Sequence, residues 1–438
     1  MAIAVPLALL LSTAWAANDW PDLSRLVLPD TDDMVRLAQV RDWLAGQAAN
    51  DWTQSRMGGR AGAPMHWSRL NDLGPAAIIA AAQPFSGRYG AELLAVLLYP
   101  ALLFAASLFL SARIAGRLWS PRAGVVAIAV AALAFPGTTI FAPGRIDHHA
   151  LQAVLVQLAL LAITRAPSRA SGVGAGTAMA VSLATGLEAT PQIAALILTL
   201  AGLWAWRGEQ ERGRLGALAA ALGGTTAAFL LVMRPTLWSA AYCDAFTPAS
   251  TTGTLLGAAA LGLLALATTG LPGPRARLAC GAALGAAALG ATLLLYPACL
   301  DGPYGVAHPL IRAEFLSRVD EVRGLLDHRP IQRAMGLGGL LLVACAAAAW
   351  MVARRPARRP ITLPAAAALA MSALVALVQS RGVYLGAPLA APVLAGLILA
   401  ARRRGAWRGP ALAGVWIASA GVCHQALPDA IARLAAPA

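Results

Sequence analysis

Lysine is absent from this 438-residue chain, and acids are few: 34 basic residues, all of them arginine, face 20 aspartates and glutamates. Only 12% of residues are charged and 6% aromatic, whereas 58% are hydrophobic and mean hydropathy is +0.65. Soluble domains carry about 25% charged residues. This scarcity therefore excludes an ordinary soluble protein and points to an all-α protein that crosses a membrane many times. The lack of lysine matches Ala- and Arg-rich coding and says little about mechanism. A formal charge of +14 could serve a nucleic-acid partner. The arginines, however, sit in short loops between apolar runs, where they orient helices, so no nucleic acid is expected. The five cysteines form no paired metal motif. Cys280 and Cys345 lie in apolar runs, and Cys423 lies near the end of one. Cys243 and Cys299 fall in polar loops, where a disulfide is open but undecided by sequence. No internal repeat and no separate soluble domain stand out.

Apolar runs fall near 2–17, 91–115, 123–141, 148–164, 171–187, 190–206, 215–233, 252–271, 278–295, 335–353, 361–378, 386–400 and 410–423. A spanning helix needs about 20 apolar residues, so these read as about 13 spans. Arginines crowd every second loop: Arg113, Arg117 and Arg122; Arg165 and Arg169; Arg207, Arg212 and Arg214; Arg275 and Arg277; Arg354, Arg355, Arg358 and Arg359; Arg402, Arg403, Arg404 and Arg408. Those loops are expected in the cytoplasm, with the N-terminus inside and a short tail, 426–438, outside. The opening run ends in small residues like a signal-peptidase site. Retaining it as a span makes the helix count agree with the loop charges. Two long outer segments follow, a first loop at about 18–90 and a late loop at about 296–334, with shorter outer turns near 142–149, 186–190, 234–251 and 379–386. Residues 1–425 are expected to form one membrane domain.

Nearly all the acids lie in those outer segments, which suggests a cation site on that face. "LPDTDDMVRLAQVRDWLAGQ" (28–47) places Asp30, Asp32 and Asp33 before a helix-like stretch. A helix start uses one aspartate as its cap, or two, but not three. Met34, Leu37, Val40, Arg41 and Leu44 describe a face that could lie along the membrane surface. "GRIDHHALQ" opens the fourth span with Asp147 and His149 two residues apart. This is either a helix cap with a satisfied histidine or part of a divalent cation site, since carboxylate plus imidazole suits Mn-like ions. Glu321, in "FLSRVDEVRGLL", fits an amphipathic surface helix or a cavity wall. Arg381, in "QSRGVYLGAP", is either a headgroup anchor or a bidentate phosphate contact. In "PMHWSRLNDL", His66, Trp67 and Arg69 read as an interfacial anchor or as a groove lining. Glu188, at the turn "GLEATPQ", reads as a cap or a cavity acid.

Together these motifs resemble the catalytic subunit of oligosaccharyltransferases and, more broadly, the GT-C glycosyltransferases that use polyprenyl-linked donors. "TDDMVRLAQVRDWLAG" is similar to the family's first-loop segment, whose metal-binding, catalytic aspartate best matches Asp32, with Asp30 and Asp33 adjacent. "GRIDHHALQ" is similar to the second acidic motif, which makes Asp147 and His149 ligand positions. "SRVDE" is similar to the late-loop motif ending in glutamate, here Glu321. Arg381 matches an arginine at the lipid-linked phosphate. The family's Trp-Trp-Asp motif, which reads the acceptor sequon in a C-terminal soluble domain, is not found here. The resemblance implies a membrane glycosyltransferase with a Mn or Mg ion and a polyprenyl-phosphate or polyprenyl-diphosphate sugar donor. Single displacement at the anomeric carbon implies inversion. The acceptor is left open among protein, lipid and glycan. The expected location is a bacterial inner membrane, with the active site facing the periplasm. A transporter or lipid flippase is the rival reading, but transporters place ionisable groups mid-helix and often show repeats.

Overall fold

Every one of the thirteen apolar runs is helical in whole or in part. The structure is a computed structural model that describes residues 3–232, 241–402 and 408–435. The opening of the turn expected at 234–251, Arg403 and Arg404 of the last basic loop, and residues 436–438 of the tail lie outside the described residues. In chain order the helices are α1 (Ala4–Asn18), α2 (Trp20–Leu23), α3 (Thr31–Leu44), α4 (Leu73–Leu118), α5 (Ala123–Ala132), α6 (His149–Ile163), α7 (Arg169–Thr185), α8 (Thr190–Arg207), α9 (Glu209–Val232), α10 (Pro248–Leu266), α11 (Gly273–Leu295), α12 (Pro309–Glu314), α13 (Ile331–Arg354), α14 (Arg359–Val378), α15 (Arg381–Ala401), α16 (Arg408–Ser419) and α17 (Gly421–Ala435). Seven of these segments are long and apolar enough to cross a membrane, and four shorter apolar helices accompany them. The fold is thus that of an all-α, multi-pass membrane protein. The only strands among the described residues form a two-residue hairpin, Thr53–Gln54 with Ala63–Pro64, in the first outer loop.

Two boundaries differ from the sequence reading. The first outer loop was expected to run to residue 90, yet α4 begins at Leu73. Gly87 takes φ 67°, ψ 173° inside it, a conformation open to glycine alone. The outer part of α4 therefore belongs to the loop and the rest to the membrane. At the other end, α17 crosses the boundary expected between residues 425 and 426.

The central helix is α15, buried along most of its length among α4, α5, α13 and α14. It carries Pro388 and Pro392. Pro392 has no N–H to give the Pro388 carbonyl four residues back. Gln157 of α6 supplies that donor instead, Nε2 to Pro388 O at 3.1 Å, so the freed carbonyl is satisfied without water. Close helix contact uses small residues. A Cβ at Gly172 or Gly176 of α7 would collide with the carbonyls of Arg214 and Leu218 on α9. Gly176→Ala is therefore expected to lower stability by about 1–3 kcal/mol, read as a lower thermal midpoint in detergent.

The first outer loop packs as a small core of its own. Leu37 and Val40 of α3 are buried with Leu23, Ile79, Val96, Tyr99 and Ile146. The face expected to lie on the membrane is thus turned into protein, although Met34 and Leu44 stay exposed. Arg41 clamps α3 to α4 through both oxygens of Glu92, at 3.0 and 2.6 Å. On the same outer side, Cys243 and Cys299 form a disulfide that ties the start of α10 to the late loop.

Candidate active site

The first turn of α3 spends one acid on structure. Asp30 is its N-cap, accepting the Asp32 N–H at 3.1 Å, and its other oxygen meets Arg145 at 3.0 Å. That leaves Asp32 and Asp33 for other work. Asp33 is fully buried; its Oδ1 accepts the backbone N–H of Asp147 at 2.8 Å, and its Oδ2 lies 3.1 Å from Arg145. The first loop and the start of α6 are therefore stitched together at the acidic motif of each. Burial pushes the Asp33 carboxyl up to about 7 despite Arg145. Burial, with the Asp147, Asp30 and Glu321 carboxylates, pushes Asp32 up to about 6 against the pull of His148.

Asp147 lies between two imidazoles. Its Oδ1 is 2.5 Å from Nδ1 of His148, and its Oδ2 is 2.5 Å from Nδ1 of His149. The two rings stack at 4.5 Å between centroids. Burial opposes charge on Asp147, but the flanking histidines win and hold its carboxyl well below the usual range. His148 continues outward, its Nε2 3.0 Å from Glu188, and Glu188 accepts from Gln152 at 2.9 Å. Burial works against a charged His148, but Asp147 and Glu188 on either side push its pKa up to about 10. The motif's second residue, to which the sequence assigned no role, thus bridges two carboxylates.

His149 points its Nε2 the other way. That atom is buried, has no hydrogen-bond partner, and lies 3.8 Å from Glu321 Oε2. Glu321 in turn pairs with Arg381 at 2.5 Å, and Arg381 donates to the Tyr304 hydroxyl at 2.6 Å. Burial opposes charge on Glu321, but His149 and Arg381 hold its carboxyl below the usual value. The late loop, the start of α15 and the start of α6 thus meet at one place. Asp147, His149, Glu321 and Arg381 form a continuous chain of contacts, and Asp32 is coupled to it electrostatically.

A buried cation stands behind this chain. Arg36 of α3, 1% exposed, donates to Ser68 O at 3.2 Å and Asp72 at 3.3 Å, lies 3.6 Å from Asp147, and stacks over Trp67 at 4.7 Å. Its Nη2 is 3.3 Å from His148 Nδ1. With that nitrogen donating to Asp147, the approach is a packing contact. Sequence reasoning passed over Arg36, because an arginine in an amphipathic helix reads as solvent-facing. Trp67 also contacts His148 and His66, at 5.9 and 5.0 Å between ring centroids, and burial lowers the His66 imidazole to about 4. Arg69 reaches the cluster only through Asp72, which it shares with Arg36. It is 1% exposed and donates to Gln39 O, Gln47, Asp51 O and Asp72, so it latches the first loop from within.

The donor set fits a divalent cation. One ligand atom each from Asp147, His148 and His149 lie within 4.8 Å of one another. The unpartnered His149 Nε2 and Glu321 Oε2 stand 3.8 Å apart, a spacing open to two ligands each about 2.1 Å from one ion. His148 fits less well, since both its nitrogens already face carboxylates.

The many-helix membrane domain with its long first loop has the same fold as solved oligosaccharyltransferase structures. Three solved structures of the oligosaccharyltransferase from the archaeon Archaeoglobus fulgidus share it. The apo form matches with a TM-score of 0.65 at 15% identity, over 98% of this chain and 55% of that one. The complex with Zn and sulfate gives 0.63 at 16%, over 92% and 49%. The complex with an inhibitory peptide and a dolichol-phosphate gives 0.61 at 14%, over 90% and 51%. The chain therefore spans about half the length of the structures it matches. No family model matches it, and no curated protein matches by sequence.

Proposed function

We propose that the protein is a membrane glycosyltransferase that moves a sugar or oligosaccharide from a polyprenyl-phosphate or polyprenyl-diphosphate donor to an acceptor on the extracytoplasmic face. The contact chain Asp147–His149–Glu321–Arg381, drawn from three distant parts of the sequence, carries this reading. A donor of this kind leaves as a phosphate that gains negative charge. Arg381 would meet that charge with a planar, permanently cationic fork. Tyr304 and Glu321 hold the fork in place before the donor arrives. Asp32, with its raised pKa, would accept the proton of an acceptor hydroxyl or amide. Asp147, His149, Glu321 and Asp32 would hold a divalent ion, which when bound supplies positive charge to the leaving phosphate. His66, Trp67 and Glu188 would wall the groove beside these groups. Displacement in one step gives an inverted anomeric centre. The basic loops orient this face away from the cytoplasm, which in a bacterium is the periplasmic side of the inner membrane.

The test is sugar transfer by the purified chain in lipid vesicles, with monophosphate and diphosphate polyprenyl donors offered in turn. Transfer is expected from one of them, with anomeric inversion seen by NMR and loss on chelation. No transfer from either donor to peptide, lipid or glycan acceptors overturns the reading. The raised Asp32 pKa adds a pH dependence. Without an ion the carboxyl titrates at about 6, and a bound divalent cation moves that point downward. The log of kcat/KM should therefore fall with unit slope below a pKa that lies at or under about 6. A profile lacking this limb removes Asp32 from the role of base.

A further inference from the structure

A groove of about 960 Å³ runs between α8, α10 and α11, away from the acid–histidine cluster along most of its length. Leucines, isoleucines and small residues line it. Three of its glycines are unusual for a membrane bundle. A Cβ added to Gly202 of α8, Gly257 of α10 or Gly285 of α11 would meet nothing within 4 Å. Small residues in membrane helices normally let two backbones touch, as Gly172 and Gly176 do against α9. Here they border a gap instead. An apolar gap offers too few polar partners to hold ordered water. Left empty, it forfeits dispersion contacts along its whole lining. In a bilayer, hydrocarbon is the matching filling.

One end of the groove is charged. Arg277 lines it, packing its guanidinium over Gly208. Its Nη1 donates to Ala205 O at 3.4 Å, and its buried Nε has no partner. The acids of the adjoining loop are already taken: Glu209 pairs with Arg212, and Glu211 with Arg207 and Arg214. Among the described residues no carboxylate pairs with Arg277.

We propose that this groove is a binding site for an anionic phospholipid of the cytoplasmic leaflet, with its phosphate on Arg277 and an acyl chain lying along Gly202, Gly257 and Gly285. Charge selects this occupant. A neutral isoprenoid chain would leave Arg277 unmatched. A sugar donor whose phosphate sits at Arg381 cannot supply the anion, because Arg277 lies at the opposite end of α11, whose 23 residues span about 35 Å. The bound lipid would fill the seam that α11 leaves open and so fix α11, and through Cys299 the late loop, against α8 and α10.

The test uses the full chain in nanodiscs of phosphatidylcholine doped with phosphatidylglycerol, with retained lipid counted by native mass spectrometry. The wild type should retain phosphatidylglycerol in preference to phosphatidylcholine. Arg277→Gln should cut that preference about fivefold, the effect of one arginine at an anionic surface. Gly285→Leu should displace both lipids, and Gly257→Leu, from the opposite wall, should repeat the result. An intact Cys243–Cys299 disulfide and a monodisperse profile show that the variants have folded. Unchanged phosphatidylglycerol retention in Arg277→Gln overturns the proposal. So does release of added polyprenyl phosphate, rather than phosphatidylglycerol, by the groove-filling leucines. Either failure leaves the transferase reading standing, because it rests on other residues and another assay.

Discussion

Asp147→Asn should lower sugar transfer about 10³-fold, the upper range for removing one preorganised hydrogen-bonding group at a reacting centre. Asp147 accepts from both His148 and His149, and its backbone N–H reaches Asp33. The asparagine amide keeps the shape, and its backbone contact survives. One of its two side-chain positions becomes a donor, however, and it faces a histidine nitrogen that was itself donating. One imidazole must turn or lose its proton, and the negative charge between them is gone. Initial rates of transfer measure the effect, with circular dichroism and thermal unfolding showing that the protein remains folded. Wild-type rates in both Asp147→Asn and Asp32→Asn would remove these residues from the chemistry.

Arg381→Ala is the second large effect, with kcat/KM expected to fall about 10²-fold or more from loss of a charge-assisted phosphate contact. The change also leaves Glu321, 25% exposed, without its cation. Arg381→Lys separates the two causes. A lysine can still neutralise Glu321, but it meets phosphate as a point charge rather than a fork. Stability should therefore return with lysine while most of the kinetic loss remains. If lysine restores both, the arginine is needed only to pair Glu321. If alanine leaves donor kinetics untouched, Arg381 does not meet the phosphate.

Much of this was legible before any coordinates, and what was missed has physical causes. The apolar runs marked the helices because backbone groups in lipid must be satisfied within a helix. Asp147, His149, Glu321 and Arg381 stood out because charge beside long apolar runs is costly without a purpose. Their geometric association appears in the structure. Arg36 was hidden because its partners lie at residues 68, 72, 147 and 148, and no local pattern reports contacts so far along the chain. His148 was hidden because its meaning depends on Glu188, on a turn between two other helices. Arg69 was grouped with His66 and Trp67 by adjacency, and its side chain turns back into the loop, where it shares Asp72 with Arg36. The face of α3 expected on lipid faces protein because α4 starts earlier than its apolar run suggested.

The scattered origin of the cluster also sets a clock on synthesis. Asp32 and Arg36 leave the ribosome about 350 residues before Arg381, which at about 5–20 residues per second is roughly 20–70 s. During that interval the first loop carries its acids without the late loop or α15, and Arg36 is first without Asp147 and then without a completed cluster. A chain arrested or cleaved before residue 381 would thus present the acids but no arginine fork, and on the proposed reading it would transfer no sugar. The cluster is complete only once α15 has been made.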